Sequence, residues 1–338
     1  MIPQEKTAAV TRSLQQTFGV STYDEIDLLA KSMTALVYRI AINGQPYLLR
    51  LIECIGDSSC ECQFSSARAA DKAGLAPRVH YTSLEDRIAI TDFVIATPLS
   101  QQTALSRMPA TLRTLHALPS FAPREDHLNT SCSFLLGSDA AIESLTGRFR
   151  SACLLTDSDS KTLFNTLAQI RSVYPRHDAE WTSCHNDLVR PGNILFDNRQ
   201  IWLIDWEAAF FNDRYSELAV VANFVATSES ELESYLGAYF GHPPSDYQRA
   251  RFYLMQQLAH CFYSMVYLLL GSGGKPIDWT EEPPGFHEFH HRVWTGEADM
   301  NDSRMKIAYG KVHWLRLAHN LQTPRFSEAL EIVSHHKP

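Results

Sequence analysis

Three oxygen-bearing side chains that could act together, Asp187, Asn193 and Asp205, lie within 19 residues of sequence. Two apolar runs, residues 193–197 and 201–205, flank three turn residues, and this pattern predicts a β-hairpin. Such a hairpin places Asn193 opposite Asp205, to within about one residue. Asp187 precedes Asn193 in a loop that contains proline and glycine, so it can fold back over the same end of the hairpin.

The three groups together suit a magnesium ion beside a free carboxylate. Mg²⁺ prefers hard oxygen ligands, takes one or two from the protein and completes its octahedron with water and substrate phosphates. A carboxylate that is not a ligand can accept a proton from a substrate hydroxyl. Alone, Asp187 could equally be a loop aspartate that caps a turn. The combination predicts a phosphoryl-transfer site.

The same segment resembles a known family. His185-x-Asp187, then Asn193, then the run "IDWE" that ends at Glu207 are similar to the catalytic loop and metal motif of the choline/ethanolamine kinases and aminoglycoside phosphotransferases. The resemblance implies a protein-kinase-like fold with ATP and Mg²⁺ as cofactors. It implies Asp187 as the catalytic base, His185 as an orienting residue, and Asn193 and Asp205 as magnesium ligands. Glu207 would make a further metal or substrate contact.

Residues nearer the N-terminus extend the resemblance. Arg50 in "YLLRL" stands where the family places a basic residue on the ATP phosphates, and Ser32 and Thr34 stand where a phosphate-covering loop would lie. The carboxylate expected to pair with Arg50 aligns with Glu61, which is chemically the better match, or with the position of Gln63. Each assignment has a simpler alternative, because Arg is usually exposed and Ser and Thr are common in turns.

One departure from the family pattern affects the metal site. Five residues separate Asp187 from Asn193, where the family usually has four. Either the loop bulges and still delivers Asn193, or the metal site is altered. The second possibility leaves open a nucleotide-binding pseudokinase that acts as an interaction module. A protein kinase is disfavoured because "DFG", "APE" and "GxGxxG" texts are absent from the sequence.

The acceptor is a small molecule with a hydroxyl group, and we favour an amino alcohol such as choline or ethanolamine. His260, Tyr263 and Tyr267 are spaced to share one face of a long helix, where they could form an aromatic wall for an ammonium group. Core packing is the alternative interpretation of that stripe. An aminoglycoside, thiamine or sugar kinase of the same fold remains the alternative function.

The surrounding elements predict an α+β fold with two lobes. The Asn43-Gly44 dipeptide between two apolar runs predicts a hairpin, followed by a helix over residues 61–73 and a strand over 87–94. This part, residues 1–97, would form an N-terminal nucleotide-binding lobe built on a small antiparallel sheet. Residues 98–338 would form a larger, mainly helical lobe for catalysis and substrate binding, with six predicted helices. These helices are residues 104–118, 140–149, 161–173, 230–240, 247–270 and 305–321.

Composition narrows the class of protein. The net charge of -8 and the pI near 5.9 disfavour nucleic acid as a partner, because binding to phosphate backbones needs clustered Lys and Arg. No signal peptide is recognisable, and Gln256, Gln257 and His260 interrupt the longest apolar stretch, so we expect a cytoplasmic protein without membrane insertion. Its seven cysteines lack paired spacing and are expected to stay reduced. The sequence leaves the oligomeric state open.

Overall fold

The computed structural model describes residues 2–32, 34–53, 57–122, 139–175 and 179–336. An antiparallel sheet of five strands, in the order β1-β2-β3-β5-β4, forms the N-terminal lobe. The strands are β1 (Glu25–Lys31), β2 (Ala35–Ile42), β3 (Gln45–Ile52), β4 (Val79–Ser83) and β5 (Ile88–Asp92). Two helices accompany the sheet, α1 (Thr7–Phe18) before it and α2 (Asp57–Lys72) between β3 and β4.

The β2–β3 hairpin confirms the prediction from Asn43-Gly44. Both residues have positive φ, 51° and 74°, as a two-residue turn that matches the strand twist requires. Ile42 pairs with Gln45 directly across the turn. The local sequence therefore sets the register of the two strands.

Helix α1 was not among the predicted elements. Its apolar residues Ala9, Val10 and Leu14 pack into the same core as Leu36 and Ile40 of β2. This core lies under one face of the sheet, so α1 closes the N-terminal lobe on that side.

The second lobe is mainly helical, as predicted. Its helices are α3 (Gln101–His116), α4 (Asp139–Ala152), α5 (Asp157–Val173), α6 (Arg214–Val225), α7 (Glu229–Phe240), α8 (Asp246–Ser272), α9 (Phe286–Trp294), α10 (Ser303–Asn320) and α11 (Arg325–His335). The six predicted helices correspond to α3, α4, α5, α7, α8 and α10, with ends that differ by a few residues. Most residues of α8 are buried in one large core. Among the described helices, none is both long and apolar enough to cross a membrane.

Helices α6, α9 and α11 were not predicted. In α6, every residue from Tyr215 to Val225 is buried. A helix that is buried on all sides has no polar face, so its sequence lacks the alternation that identifies an amphipathic helix.

Two short ladders lie within the helical lobe and hold the candidate site. Strand β6 (Trp181–Cys184) pairs with β9 (Phe210–Asp213), and β7 (Ile194–Phe196) pairs with β8 (Ile201–Leu203). In the second ladder Ile194 lies opposite Leu203, and the Ile204 N–H donates to the Asn193 carbonyl at 3.0 Å. The predicted hairpin is confirmed, with Asn193 within one residue of the position opposite Asp205.

Candidate active site

Asp187 lies in the loop between β6 and β7, with its carboxylate held by two neighbours. The Asn193 Nδ2 donates to Asp187 Oδ2 at 3.0 Å and also to the Asp187 carbonyl at 2.9 Å. The Arg190 Nε lies 3.5 Å from Asp187 Oδ1. The side chain of Asp187 is 16% exposed, so it is largely desolvated yet still reachable from one side.

The environment of Asp187 changes its acidity. Burial raises the pKa of this carboxyl from its usual value to about 6, and the neighbouring charge of Asp205 adds to the rise. Arg190, His185 and the hydrogen bond from Asn193 lower the pKa but do not cancel the effect of burial. At pH 7 the group is mostly an ionised carboxylate that can accept a proton.

The five-residue loop delivers Asn193 to Asp187. A turn over residues 188–190 is followed by a single 3₁₀ turn, Pro191–Asn193. The Asn193 N–H donates to the Arg190 carbonyl at 2.9 Å, which closes that turn. The extra residue is therefore accommodated as a bulge, and it brings the guanidinium of Arg190 to the carboxylate of Asp187.

A second group of charges lies just beyond the hairpin. Arg50 of β3 approaches Asp205, with Nη1 and Oδ1 2.7 Å apart, and approaches Glu207, with Nη2 and Oε2 3.4 Å apart. Thr34 donates from Oγ1 to the same Glu207 oxygen at 3.3 Å. Residues 205 and 207 belong to the helical lobe, whereas 34 and 50 belong to the sheet lobe. This cluster joins the two lobes.

The donor set fits a magnesium ion. Asp205 Oδ1 is buried, and although Arg50 is close, the pair is not aligned as a hydrogen bond, so the oxygen keeps a lone pair for a ligand. The Asn193 Nδ2 donates to the carboxylate of Asp187, so the Oδ1 atom of the same amide remains available as an acceptor beside that carboxylate. Asp205, Asn193 and Glu207 together offer the hard oxygens that Mg²⁺ prefers.

His185 is fully buried and links the loop to the hairpin. Its Nε2 lies 2.8 Å from the Ile204 carbonyl, which can only accept, so the proton is on Nε2. Its ring packs against Trp206, with the centroids 4.7 Å apart. These contacts fix the residue that precedes Asn186 and Asp187, which agrees with an orienting role rather than contact with a substrate.

Glu217 of α6 holds the catalytic loop by its backbone. Its Oε1 accepts from the N–H groups of His185 at 3.0 Å and Asn186 at 2.8 Å, while Oε2 lies 2.9 Å from His116 Nε2. Glu217 was not among the predicted site residues, and its contacts were not predicted. Asn186 has a positive φ of 64°, and its Nδ2 donates to the carbonyls of Cys184, Ala208 and Phe210.

Of the residues predicted to contact the nucleotide, Thr34 and Arg50 lie at Glu207, whereas Glu61 lies apart from them. Ser32 Oγ accepts from the N–H groups of Thr34 and Ala35 in the β1–β2 turn. Because Thr34 also donates to Glu207, this turn adjoins the Arg50 cluster. Glu61 is exposed on α2, whereas Gln63 is buried and lines the interlobe cleft. The carboxylate partners of Arg50 are Asp205 and Glu207 rather than Glu61, because β3 faces the hairpin across the cleft.

A cleft of about 400 Å³ separates the two lobes and ends at the charged cluster. Its walls are mostly apolar side chains from the sheet, from α2 and from the β7–β8 hairpin, including Val37, Leu48 and Leu195. Arg50, Asn193 and Asp205 line the same cleft. The cleft therefore offers an apolar site that continues into a polar end.

Two of the three predicted substrate residues lie near Asp187. Burial raises the pKa of Tyr267 to about 12, and the charges of Arg190 and Asp187 act on the same hydroxyl. Tyr263 lines a small recess with Asn186, and the charge of Asp187 contributes to the raised pKa of its hydroxyl, after burial and Tyr267. The Tyr263 and Tyr267 rings are 6.1 Å apart.

His260 lies on the same face of α8 but lines a different cavity from Tyr263. Its Nδ1 lies 3.0 Å from Nδ1 of His313 in the core of the helical lobe, and its ring also lines a separate cavity. The rings of His260 and Tyr263 both pack on His313 of α10, and the ring of Tyr267 packs on Tyr309 of the same helix, so the three residues share one face of α8 as predicted. A contact of His260 with a substrate stays a prediction. Core packing, the alternative interpretation, describes the contacts of His260 within the chain.

Comparisons with known proteins agree with this geometry. The model of the phosphotransferase enzyme family matches residues 25–253. A choline/ethanolamine kinase family protein from Mesorhizobium loti superposes with a TM-score of 0.64 at 19% identity, covering 98% of this chain and 100% of that chain. A choline kinase from Streptococcus pneumoniae gives 0.53 at 14% identity, with 98% and 100% covered.

A spectinomycin phosphotransferase, solved with ADP and spectinomycin, gives a TM-score of 0.55 at 15% identity, with 90% of this chain and 98% of that chain covered. At such identities the superpositions establish the fold only. No curated protein matches the chain in sequence. The family model, however, spans more than half of the chain and includes Asp187, Asn193 and Asp205. The chain belongs to the phosphotransferase enzyme family.

Proposed function

We propose that this protein transfers the γ-phosphoryl group of ATP to the hydroxyl of a small amino alcohol, such as choline or ethanolamine. One observation carries the proposal: the Asp187 carboxylate is hydrogen-bonded by Asn193 next to the Asp205, Glu207 and Arg50 cluster, at the polar end of an apolar cleft. A proton acceptor beside a metal-binding donor set is what phosphoryl transfer to a hydroxyl requires.

The cleft supports the nucleotide assignment. Its apolar walls suit an adenine ring, and Arg50 and the hydroxyls of Ser32 and Thr34 lie where phosphates would emerge. The spectinomycin phosphotransferase of the same fold was solved with ADP. Bound Mg²⁺ would neutralise phosphate charge, and Asp205, Asn193 and Glu207 would hold it.

Asp187 would orient the acceptor hydroxyl and take its proton as the bond to phosphorus forms. Burial favours this role because it raises the proton affinity of the carboxylate while leaving it ionised at pH 7. Arg190 adds a positive charge beside Asp187, and the charge of Asp205 also acts on it. The Arg190 guanidinium would stabilise negative charge on the transferred phosphoryl group.

The acceptor assignment is based on aromatic rings. Tyr263 and Tyr267 lie near Asp187, and Tyr309 packs on Tyr267 with ring centroids 4.7 Å apart. An ammonium group over such rings gains about 0.5–2 kcal/mol, depending on its desolvation. An aminoglycoside carries several ammonium groups and would need several carboxylates, but residues 258–270 of α8 contain none.

An ADP-release assay with choline, ethanolamine, thiamine, glucose and kanamycin tests the proposal. We expect turnover with an amino alcohol, and at least a tenfold lower kcat/KM for it in Tyr267→Ala and Tyr263→Ala. The matched control is Tyr247→Ala, which lies on the same helix about 30 Å from Tyr267, at 1.5 Å per residue. If only kanamycin, thiamine or glucose is turned over, that compound would replace the amino alcohol as the proposed acceptor. Absence of ADP release with all five compounds would contradict the proposed activity.

A further inference from the structure

A second cavity, of about 280 Å³, lies in the helical lobe. It is enclosed by the end of α6, the start of α7, and helices α8, α9, α10 and α11, and it shares no lining residue with the interlobe cleft. Polar side chains dominate its lining, and six of them are Asn223, Glu229, Gln256, His260, His287 and Arg316. The cavity has room for roughly nine water molecules at ~30 Å³ each, which is the size of a small metabolite.

Arg316 is the most informative residue of this cavity. It is half-buried, with its guanidinium 5.2 Å above the ring of Phe286, and no described residue gives it a hydrogen bond or an ion pair. Glu229 acts on its charge, but Glu229 Oε1 accepts from Arg325 Nη1 at 2.6 Å. Two arginines and one carboxylate thus line the cavity, while the carboxylate of Glu231 lies behind the lining, where it accepts from Thr227 and acts on His287. A desolvated cation without a partner is costly, so a site that keeps one usually has a ligand of opposite charge.

Buried hydrogen-bonding groups accompany Arg316. Asn223 is 6% exposed and lines the cavity, and none of its side-chain atoms is hydrogen-bonded within the described part of the chain. His287 Nδ1 is buried there and also lacks a partner among the described residues. Buried polar groups in proteins are nearly always satisfied, so these two side chains leave hydrogen-bonding capacity that a ligand in the cavity could use.

The pKa values of two histidines in the cavity wall respond to the charge of Arg316. Burial lowers the pKa values of His260 and His287, and the charge of Arg316 lowers both further, while the charge of Glu231 partly opposes this for His287. Burial also lowers the pKa of Arg316 itself. A desolvated site in which cationic groups disfavour one another is stabilised by an added anion.

We propose that this cavity binds the carboxylate or phosphate group of a small organic anion, with the Arg316 guanidinium as its main cation and Asn223 and His287 as further hydrogen-bonding partners. The apolar side of the ligand would contact Phe286 and Tyr253, which lie under Arg316 and Arg325. The inference does not depend on the nature of the acceptor at Asp187, because the two sites have no lining residue in common.

Calorimetric titration of the full chain tests the proposal with four anions: inorganic phosphate, phenyl phosphate, acetate and benzoate. Ionic strength is held constant with sodium chloride, and benzyl alcohol is the neutral control. We expect at least one anion to bind and benzyl alcohol not to bind, and the comparison of phosphates with carboxylates identifies the preferred group. Failure of all four anions to bind at millimolar concentration would overturn the proposal.

Three variants locate the binding. Arg316→Gln should weaken it at least tenfold, because charge-assisted hydrogen bonds are the strong ones. Arg304→Gln is the matched control on the same helix, with an 86% exposed side chain, and should stay within twofold of wild type. Arg50→Gln should also stay within twofold, which excludes binding in the interlobe cleft. Equal losses in Arg316→Gln and Arg304→Gln, or a loss confined to Arg50→Gln, would overturn the assignment.

A stability measurement separates a ligand-binding arginine from a structural one. Without added anion, Arg316→Met should leave Tm unchanged or raise it, since the variant removes an unpaired desolvated charge and keeps an apolar side chain over Phe286. A Tm lower by several degrees would show that Arg316 supports the fold, against the proposal. Asn223→Ala provides an independent test, because it should weaken anion binding without removing any charge.

Discussion

At the residue scale, the chemistry depends on how Asp187 is held. Its carboxylate would be free to rotate if Asn193 did not donate to one oxygen and Arg190 did not lie near the other. The two contacts fix its direction, while burial keeps its proton affinity above that of an exposed aspartate. Orientation and basicity therefore come from different neighbours.

Asp187→Asn should lower kcat by about 10²–10⁴-fold, the usual contribution of a general base. Nucleotide affinity should stay near that of wild type, because Asp187 is not among the proposed metal ligands. Steady-state ADP release and calorimetric binding of a non-hydrolysable ATP analogue measure the two quantities. Asp246→Asn, at the exposed start of α8, is the control. A kcat within twofold of wild type would remove Asp187 from the role of base.

Asp205→Ala should abolish the increase in nucleotide affinity that magnesium produces, because it removes one of the two proposed carboxylate ligands and leaves only Glu207. Affinity without magnesium should persist, since the change releases Arg50 from its ion pair with Asp205. Asn193→Ala should act in the same direction but more weakly. Titration of an ATP analogue with and without magnesium measures both effects.

The control for this experiment is Asp27→Ala, which removes an exposed carboxylate from the sheet lobe. A magnesium effect that survives in Asp205→Ala would show that Asp205 is not a ligand. A normal magnesium effect in Asn193→Ala would show that Asn193 contacts Asp187 but does not bind the metal.

At the element scale, the site depends on helices that pack closely behind it. Helix α8 carries Tyr263 and Tyr267 towards Asp187, and α10 packs along α8 with almost no space between the backbones. A Cβ added at Gly310 would lie 2.9 Å from the Leu268 backbone nitrogen and 2.7 Å from its Cγ. The absence of a side chain at Gly310 sets the separation of the two helices.

Gly310→Ala should therefore destabilise the protein, despite the better helix propensity of alanine. Overpacking typically costs about 1–3 kcal/mol, more than the ~1 kcal/mol that alanine gains over glycine within a helix. The matched control is Gly147→Ala on the exposed face of α4, where a Cβ meets nothing within 4 Å and only the gain applies. Urea unfolding should show a lower free energy of unfolding for Gly310→Ala and a higher one for Gly147→Ala than for wild type. Equal stabilisation in both variants would contradict the close packing.

At the scale of the whole molecule, a buried histidine cluster connects α8, α9 and α10. His260 and His313 share one hydrogen bond between their Nδ1 atoms, so one of these atoms must be unprotonated. His290 donates from Nδ1 to the Phe286 carbonyl at 2.8 Å, and its Nε2 accepts from the Tyr309 hydroxyl at 3.1 Å. At least one of the His260 and His313 rings must therefore be neutral, and burial disfavours a charge on all three histidines.

The cluster predicts a loss of stability in mild acid. Burial lowers the pKa of His290 to about 3 and holds the pKa values of His260 and His313 well below their usual value. The charge of Arg316 lowers the pKa values of His290 and His260 further, and the neighbouring histidines His260 and His290 lower that of His313. A depressed folded-state pKa leaves stability intact above the unfolded pKa of about 6.5 and removes it below. Each such histidine costs roughly 1.4 kcal/mol per pH unit there.

Urea unfolding at pH 7.5, 6.5 and 5.5 measures this slope. His290→Gln should be less stable at pH 7.5 and should show a shallower loss towards pH 5.5, because one buried neutral ring is gone. His319→Gln, exposed on α10, should leave the slope unchanged. A slope identical in wild type and His290→Gln would show that His290 does not contribute to acid sensitivity.

The sequence by itself determined the local conformations and the motif that we propose for catalysis. The turn at Asn43-Gly44 and the hairpin that presents Asn193 and Asp205 depend on residues a few positions apart, whose backbone preferences are readable without the rest of the chain. The exposed sides of most helices were also readable from their periodicity. Helix α6 was not, because full burial removes the periodicity.

Only the tertiary structure decided which distant residues meet. Arg50 pairs with Glu207 across 157 residues of sequence rather than with Glu61 nearby, and Glu217 holds the backbone of the catalytic loop from 31 residues away. On α8, His260 and Tyr263 share the ring of His313 as a neighbour, 53 and 50 residues further along the chain. Such contacts are set by how two lobes and several helices pack together, and sequence spacing does not encode the position or orientation of one packed element relative to another.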